Sequence, residues 1–141
     1  MPELSPAGFD LSPPDPAALE ALEAGLTAEE RNVLLHHGTE APFCGVLLNN
    51  KGKGVYCCRL CGLPLFRADE KFESGTGWPS FHTPLDGAVG TTVDRSHLMV
   101  RTEVHCGRCG GHLGHVFDDG PRPTGQRYCV NGVAMTFEPG G

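Results

Sequence analysis

Two short cysteine motifs give the clearest chemical signal in this 141-residue sequence. Cys58 and Cys61 lie in the segment CRLCG, and Cys106 and Cys109 lie in CGRCG. A two-residue spacing lets both thiolates of a motif reach one metal ion, and the following glycine lets the backbone turn beneath the sulfurs. The motifs therefore predict one site of four thiolates. Such a site has no open position for water or substrate, so we expect a structural Zn²⁺ ion.

The sequence distance between the two motifs determines what this metal site holds together. Residues 62–105 separate them, which is too long for a compact zinc finger, so we expect the ion to join two distant hairpins of one domain. Four cysteines also permit redox-active pairs or an iron–sulfur cluster. Cys57 is an alternative ligand to Cys58, with a poorer spacing.

Three cysteines remain once four are assigned to the metal: Cys44, Cys57 and Cys129. Cys129 lies in the strand-like segment RYCVNG, where Arg127, two residues earlier, shares its face. A cation there lowers the pKa of the thiol and raises the thiolate fraction, which makes Cys129 a candidate nucleophile. The alternative is that Cys129 is a small buried apolar residue.

Two further segments carry groups that suit a reactive thiol. GGHLGHVF places His112 and His115 among glycines, where imidazoles are proton donors near neutral pH. SGTGWPSF places the single tryptophan, Trp78, before Pro79 in a rigid bend that exposes an indole face. Each also has a structural interpretation, as a satisfied histidine or a core anchor. Together they predict a pocket for a small, partly apolar electrophile that is reduced at a heteroatom.

Composition and charge exclude several other classes of function. The net charge of −6, with 17 acidic and 11 basic residues, argues against nucleic-acid binding. The sequence shows neither a secretory signal nor an apolar run of membrane-spanning length, so we expect a cytoplasmic monomer that does not bind membranes. An odd count of seven cysteines argues against a disulfide framework.

The N-terminal part of the chain predicts an extended arm over residues 1–14 and then a short amphipathic helix. Asp15 is the expected N-cap and Pro16 the first helical residue. Leu19 and Leu22 lie on one face, and Gly25 ends the helix.

A second helix follows at once. Thr27 and Glu30 form a capping box, and Gly38 ends the helix. The apolar side consists of Val33, Leu34 and Leu35. We therefore expect residues 1–37 to form an extension and helical arm packed on the body.

Residues 38–141 predict a β body of one domain, because short apolar runs are broken by Gly and Pro. Val100, Thr102 and Val104 alternate with Arg101 and Glu103, which is typical of a half-buried strand. The expected fold is mainly β and antiparallel.

The motifs taken together resemble a known family. HHGTEAPFCG, CRLCG, SGTGWPSF and CGRCGGHLGHVFDDGPRPTGQRYCVNG resemble methionine-R-sulfoxide reductase of the B type, across about residues 30 to 138. The resemblance implies a β-tent fold of two antiparallel sheets, with a zinc site away from the active site. It also implies reduction of the R epimer of methionine sulfoxide, free or in proteins.

The resemblance also implies roles for individual residues. Cys129 matches the nucleophile that attacks the sulfoxide sulfur and becomes a sulfenic acid. His112 or His115 would protonate the oxygen, and Trp78 would pack on the substrate's methyl group. The remaining positions that match the pocket are His97, Arg127 and Asn131.

The sequence departs from the family pattern at Thr76. Many members carry a cysteine there, which attacks the sulfenic acid to form a disulfide that thioredoxin reduces. Because a threonine hydroxyl cannot do this, we expect Cys44, in APFCGVL, to form a Cys129–Cys44 disulfide that thioredoxin reduces. The alternatives are Cys57, or no resolving cysteine and direct reduction by an external thiol.

The competing function is a non-catalytic, zinc-stapled β domain that binds a protein partner, with Cys129 merely buried. A zinc hydrolase or deaminase fits less well, because the sequence lacks the H-x-E motif and an open coordination position.

Overall fold

The computed structural model describes residues 15–36, 47, 52–72, 77–85, 87–95, 100–122 and 124–139. Within this part of the chain, two helices precede a set of short strands. The helices are α1 (Pro16–Ala24) and α2 (Ala28–His36). The strands are β1 (Gly54–Cys58), β2 (Pro64–Arg67), β3 (Lys71–Phe72), β4 (Ser80–Phe81), β5 (Val89–Asp94), β6 (Arg101–Cys106), β7 (His112–Phe117), β8 (Arg127–Val130) and β9 (Met135–Pro139). Single 3-10 turns lie at Ala68–Glu70 and Gly132–Ala134.

The strands form two sheets. The smaller sheet has the order β2-β1-β9, and the larger has the order β3-β4-β8-β7-β6-β5. Every pairing is antiparallel. The predicted mainly β fold with two antiparallel sheets and a helical arm is therefore confirmed.

An aromatic cluster forms the core between the two sheets. Tyr56 and Phe66 come from the smaller sheet, and Phe81 and Tyr128 come from the larger one. The Phe66 and Phe81 rings stack with centroids 4.3 Å apart, and Tyr56 meets Phe81 edge to face at 5.1 Å. Aromatic pairs in these geometries add to the free energy gained by burial. The core therefore fixes one sheet against the other.

The caps of both helices are as the sequence predicts. The Asp15 carboxylate accepts a hydrogen bond from the N–H of Ala18, at 2.8 Å. In the second cap, the Glu30 N–H donates to the Thr27 hydroxyl at 3.1 Å, and the Thr27 N–H donates to the Glu30 carboxylate at 2.8 Å. These bonds satisfy N–H groups that have no partner inside a helix.

The two helices contact the body unequally. In α2, Val33 and Leu34 are buried, and Glu30 forms an ion pair of 2.9 Å with Arg59. In α1, only Leu19 packs against the core, whereas Leu22, which the sequence places on the same apolar face, is 39% exposed. The reason is that α1 lies at the margin of the body and has no fully buried residue.

The alternating pattern predicted for residues 100–104 holds only in part. Val104 is fully buried, but Val100 is 70% exposed. The pairing of β5 with β6 ends at Asp94 and Arg101, so Val100 lies beyond the paired region. Residues 1–14, Gly38 and most of the run 45–50 lie outside the described residues.

Neither described helix is long and apolar enough to span a lipid bilayer.

Candidate active site and metal centre

Each cysteine motif lies at the tip of a hairpin, one in each sheet. Cys58 ends β1 and Cys61 lies in the turn to β2, while Cys106 ends β6 and Cys109 lies in the turn to β7. The four sulfur atoms all lie within 4.8 Å of one another. A bound ion would therefore join two hairpins that are distant in the sequence, as the spacing of the motifs predicts, and these hairpins belong to different sheets.

The geometry of these four residues, called the metal cluster below, fits a tetrahedral ion. The distance from Cys58 Sγ to Cys109 Sγ is 3.6 Å, and that from Cys61 Sγ to Cys106 Sγ is 3.5 Å. Four sulfurs at the Zn–S bond length lie about 3.8 Å apart. Hydrogen bonding with Cys106 raises the pKa of Cys58 and lowers that of Cys61, as expected of sulfurs that share protons.

Backbone groups support the metal cluster in both turns. Gly62 and Gly110 have φ angles of 81° and 77°, which favour glycine, and each donates its N–H to the carbonyl of the first cysteine of its motif. The N–H groups of Arg108 and Gly111 donate to the sulfurs of Cys106 and Cys109, both at 3.4 Å. Such donors stabilise metal-bound thiolates.

Cys57 does not belong to the metal cluster. It lies in β1 opposite Thr136 of β9 and is 6% exposed. Burial raises the pKa of its thiol. The alternative of Cys57 as a ligand in place of Cys58 is not supported.

A cleft of about 270 Å³ lies on the face of the larger sheet that is turned away from the aromatic core. The residues that line it are Trp78, Arg101, Gly114, His115, Phe117, Arg127, Cys129 and Asn131. Five of them are candidate site residues from the sequence. The cleft thus brings together the predicted thiol, indole, cation and one of the two imidazoles.

Strand register positions Cys129 within the cleft. It pairs with His115 of β7 on one side and with Ser80 of β4 on the other. Gly114, next to His115, is required for this approach, because a Cβ there would collide with the Cys129 carbonyl. The nucleophile candidate and an imidazole are therefore direct cross-strand neighbours.

The bend at Trp78 is fixed against the strand that carries Cys129. The Pro79 carbonyl accepts a hydrogen bond of 2.9 Å from the N–H of Val130. The Ser80 hydroxyl donates to the Trp78 carbonyl at 3.2 Å. These bonds fix the backbone at Trp78 and Pro79, and the Trp78 side chain lines the cleft.

Arg127 is held beside the thiol by three contacts. Its Nε and terminal nitrogen donate to the two carboxylate oxygens of Asp119 at 2.8 and 3.2 Å, and the guanidinium lies 4.4 Å from the centre of the Phe117 ring. The bond to Asp119 raises the pKa of Arg127, and its contact with the Cys129 sulfur raises it further. The guanidinium bond in turn lowers the pKa of Asp119. A permanent cation therefore faces Cys129.

The two histidines occupy different environments. His115 is partly accessible in the cleft, and its Nε2 lies 2.8 Å from an oxygen of Asp94. His112 is 2% exposed and lies behind His115, with its ring centre 5.5 Å away and its Nδ1 3.5 Å from a Glu103 oxygen. Of the two, only His115 is placed to reach a molecule in the cleft.

Asn131 also lines the cleft, two residues after Cys129. Its backbone N–H and its side-chain amide both donate to the Leu113 carbonyl, each at 2.9 Å. The side chain is buried and its orientation is set by this carbonyl.

Sequence reasoning missed four residues around the cleft: Asp94, Arg101, Phe117 and Asp119. The alternation in VRTEV indicates a strand, but the face that bears Arg101 looks like an ordinary solvated face until the strand register is known. Cys44, Thr76 and His97 lie outside the described residues.

Comparisons with known proteins show which family the chain is similar to. The SelR domain family model matches residues 26–139. A protein of Caulobacter vibrioides (strain NA1000 / CB15N), named peptide methionine sulfoxide reductase MsrB, is 64% identical over 136 residues, which cover 95% of this chain and 85% of the relative. Relatives with the same name in Xylella fastidiosa (strain M23) and Methanosarcina mazei are 59% and 57% identical, over 94% and 79% of this chain and 86% and 81% of their own lengths. The chain therefore belongs to the SelR domain family, as its motifs indicate.

Proposed function

We propose that this chain reduces the R epimer of methionine sulfoxide, free or in proteins, to methionine. The observation that carries the proposal is the position of Cys129, which shares a cleft with Trp78 and His115 and lies beside the Arg127 cation. The name of the relatives, peptide methionine sulfoxide reductase, supports the same chemistry. A buried cysteine in a binding module would need neither an accessible cleft nor a fixed cation.

The reaction begins at the thiolate of Cys129, which Arg127 stabilises by its charge. The thiolate sulfur attacks the sulfoxide sulfur, and His115 donates a proton to the sulfoxide oxygen as its negative charge develops. The oxygen passes to the Cys129 sulfur and the substrate's S–O bond breaks. The products are methionine and a Cys129 sulfenic acid, so the substrate sulfur is reduced by two electrons and the cysteine sulfur is oxidised by two.

Epimer selection follows from three different walls of one cleft. The sulfoxide sulfur must face Cys129, its oxygen must face His115, and its methyl group must face the Trp78 indole. With the oxygen, the methyl group and the side of attack on the sulfur all fixed, the rest of the side chain leaves through the cleft mouth in only one of the two epimers. The assignment of that epimer as R rests on the resemblance of the motifs.

The sulfenic acid is resolved by Cys44. The Cys44 thiol attacks the Cys129 sulfur, a disulfide forms, and the oxygen leaves as water. Thioredoxin then reduces the disulfide by thiol exchange. This proposal rests on Thr76, which cannot resolve, and on the burial of Cys57 in β1. His97 is proposed to support the pocket.

The metal cluster is proposed to hold one Zn²⁺ ion, because four thiolates within 4.8 Å of one another form a closed tetrahedral shell. The ion would supply structure and no catalytic chemistry. Cys58, Cys61, Cys106 and Cys109 hold the two hairpin tips together.

A single-turnover experiment tests the function. The reduced protein is mixed with an excess of each separate epimer of N-acetyl-methionine sulfoxide, without reductant, and methionine and free thiols are counted. We expect one equivalent of product from the R epimer only, with the loss of two thiols. Reduction of neither epimer by the metal-loaded protein would favour the binding-module alternative.

The variant Cys44→Ser isolates the resolving step. We expect it to form one equivalent of product and a sulfenic acid at Cys129 that dimedone traps. Loss of two thiols in this variant would show that another cysteine resolves.

A further inference from the structure

The cleft contains a second cation, Arg101, that the reaction at Cys129 does not use. Arg101 is the first residue of β6, and its side chain is 25% exposed. It lines the same cleft as Cys129 and Trp78. The function of Arg101 therefore concerns another part of the molecule that the cleft binds.

The two cleft arginines differ in how many hydrogen bonds their N–H groups donate to the described residues. Arg127 donates twice to Asp119, contacts the Cys129 sulfur and packs on Phe117. Arg101 has one hydrogen bond with the described residues, a long one of 3.3 Å to Asp94, and its Nε–H is buried without an acceptor there. A guanidinium carries five N–H donors, and leaving them without acceptors in a partly buried position costs free energy.

The position of Arg101 suits the far end of the substrate. His115, the neighbour of Cys129, pairs with Glu103 of β6, and Arg101 lies two residues along that strand, about 7 Å away. In methionine sulfoxide the carbonyl carbon lies about 5 Å from the sulfur. With the sulfur at Cys129, the oxygen atoms on that carbon fall within reach of the long Arg101 side chain.

We infer that Arg101 binds the oxygen of the substrate's α-carbonyl or α-carboxylate group and so determines which sulfoxides the cleft accepts. The inference rests on the proposed function. Asp94 orients the guanidinium, because the same carboxylate oxygen contacts both Arg101 and His115. The subsite thus recognises an oxygen acceptor, which a free amino acid offers as a carboxylate and a peptide offers as a carbonyl.

Three probes test the inference in Arg101→Ala: N-acetyl-methionine sulfoxide, its neutral methylamide, and ethyl methyl sulfoxide, which has no carbonyl. The measured quantity is the ratio of kcat/KM for each carbonyl-containing probe to that for ethyl methyl sulfoxide in the same protein. A change in the site that slows the reaction of all three probes equally leaves this ratio unchanged. We expect it to fall about tenfold, as for the loss of one hydrogen bond to a charged group.

The two carbonyl-containing probes distinguish the two sources of the oxygen. A fall with both probes assigns Arg101 to the peptide carbonyl, and a fall with the carboxylate alone assigns it to the free acid. An unchanged ratio with both overturns the inference while leaving the function intact. The matched control is Arg95→Ala, at an exposed arginine just after β5, which should leave both ratios unchanged.

A binding measurement separates this inference from the proposed reaction. Trp78 is the only tryptophan, so its fluorescence reports ligand binding in a Cys129→Ser background, which cannot turn over. We expect Arg101→Ala to raise the Kd of the carbonyl-containing probes there. Equal Kd values with and without Arg101 overturn the inference, whereas failure of the unaltered protein to reduce any probe overturns the proposed function instead.

Discussion

Cysteine serves two purposes in this molecule, and the metal cluster and the cleft show what separates them. In the metal cluster each sulfur lies among three others, at the tips of two hairpins, with cross-hairpin distances of 3.5 and 3.6 Å. In the cleft a single partly accessible sulfur, that of Cys129, faces Arg127 and His115. The six cysteines in the described part of the chain form no disulfide among themselves.

The difference between the two regions lies in what balances the negative charge of a thiolate. Four thiolates at close range repel one another, so they are stable together only around a cation that each can contact. One thiolate beside a fixed guanidinium is stabilised by that group and keeps its lone pairs for attack on an electrophile. Arg127 is itself held in place by Asp119 and Phe117, so the charge does not move away from the thiol.

The largest expected effect comes from Cys129→Ser. A serine hydroxyl is not ionised near neutral pH, so the rate of sulfoxide reduction should fall by at least about a thousandfold. Metal content, measured by atomic absorption, and the thermal midpoint should stay close to those of the unaltered protein. The control is Cys57→Ala, which removes a thiol that belongs to neither region, and it should retain single-turnover reduction. Loss of metal from Cys129→Ser would show that the cleft and the metal cluster are not independent of each other.

The converse change is Cys109→Ser, which removes one ligand from the metal cluster. Bound metal should be lost, and the free energy of unfolding should fall by more than about 4 kcal/mol, because metal binding contributes directly to folding. Denaturant titration with and without a chelator measures this. In the unaltered protein the chelator should lower stability by a similar amount, while in the variant it should have no effect. Unchanged stability with full metal occupancy would show that Cys109 is not needed to hold the ion, and unchanged stability of the unaltered protein after chelation would show that the ion does not join the sheets.

The sequence predicts the metal cluster better than the cleft, for a physical reason. A metal motif is local, because two ligands and a glycine within five residues suffice to indicate half the site. The cleft depends on register across β5, β6, β7 and β8, which no local pattern specifies. Cys129 and Trp78 are recognisable from the residues around them, but Asp94 and Arg101 become site residues only when the strands are aligned.

The same distinction explains which parts of the fold were predictable. The caps at Asp15 and Thr27 depend on neighbours three residues away and are predicted correctly. The exposure of Leu22 depends on where α1 meets the body, and that of Val100 on where the pairing of β5 with β6 ends. Both are tertiary properties, so amphipathic pattern alone gives the wrong answer.

A smaller effect is expected from Asp94→Asn, which alters a partner of His115. The carboxylate fixes the orientation of the imidazole through the 2.8 Å contact with Nε2. Its replacement should lower the single-turnover rate constant at saturating substrate about ten- to hundredfold, by analogy with carboxylates that orient metal-bound imidazoles. The rate of Cys129 alkylation by iodoacetamide, which does not need the proton donor, should change little.

The matched control for that change is Asp69→Asn, at an exposed carboxylate in the 3-10 turn after β2. This variant should change neither the single-turnover rate constant nor the rate of Cys129 alkylation. If Asp94→Asn lowers alkylation as much as reduction, the carboxylate supports the whole cleft rather than the proton donor. Restoration of the reduction rate by Asp94→Glu would strengthen the positioning role.

The smallest expected effect tests the charge balance at the thiol itself. A cation favours the thiolate, and the Cys129 sulfur raises the pKa of Arg127, so Arg127 should in turn lower the pKa of Cys129 and Arg127→Met should raise it. At a pH below the midpoints of both proteins, alkylation of Cys129 should be slower in the variant, whereas at a pH above both midpoints the two rates should converge. The control is Arg122→Met, at an exposed arginine of the loop before β8.

The variant Asp119→Asn separates the placement of the cation from net charge. It removes a negative charge near the cleft, which alone would lower the pKa of Cys129, but it also releases the guanidinium that Asp119 holds at 2.8 and 3.2 Å. If placement matters more, the midpoint of alkylation should move upward, in the same direction as in Arg127→Met. A downward shift would mean that the summed charge around the cleft activates the thiol. Cys129 would then differ from the thiolates of the metal cluster in the net charge around it, and not in having a single fixed cationic partner.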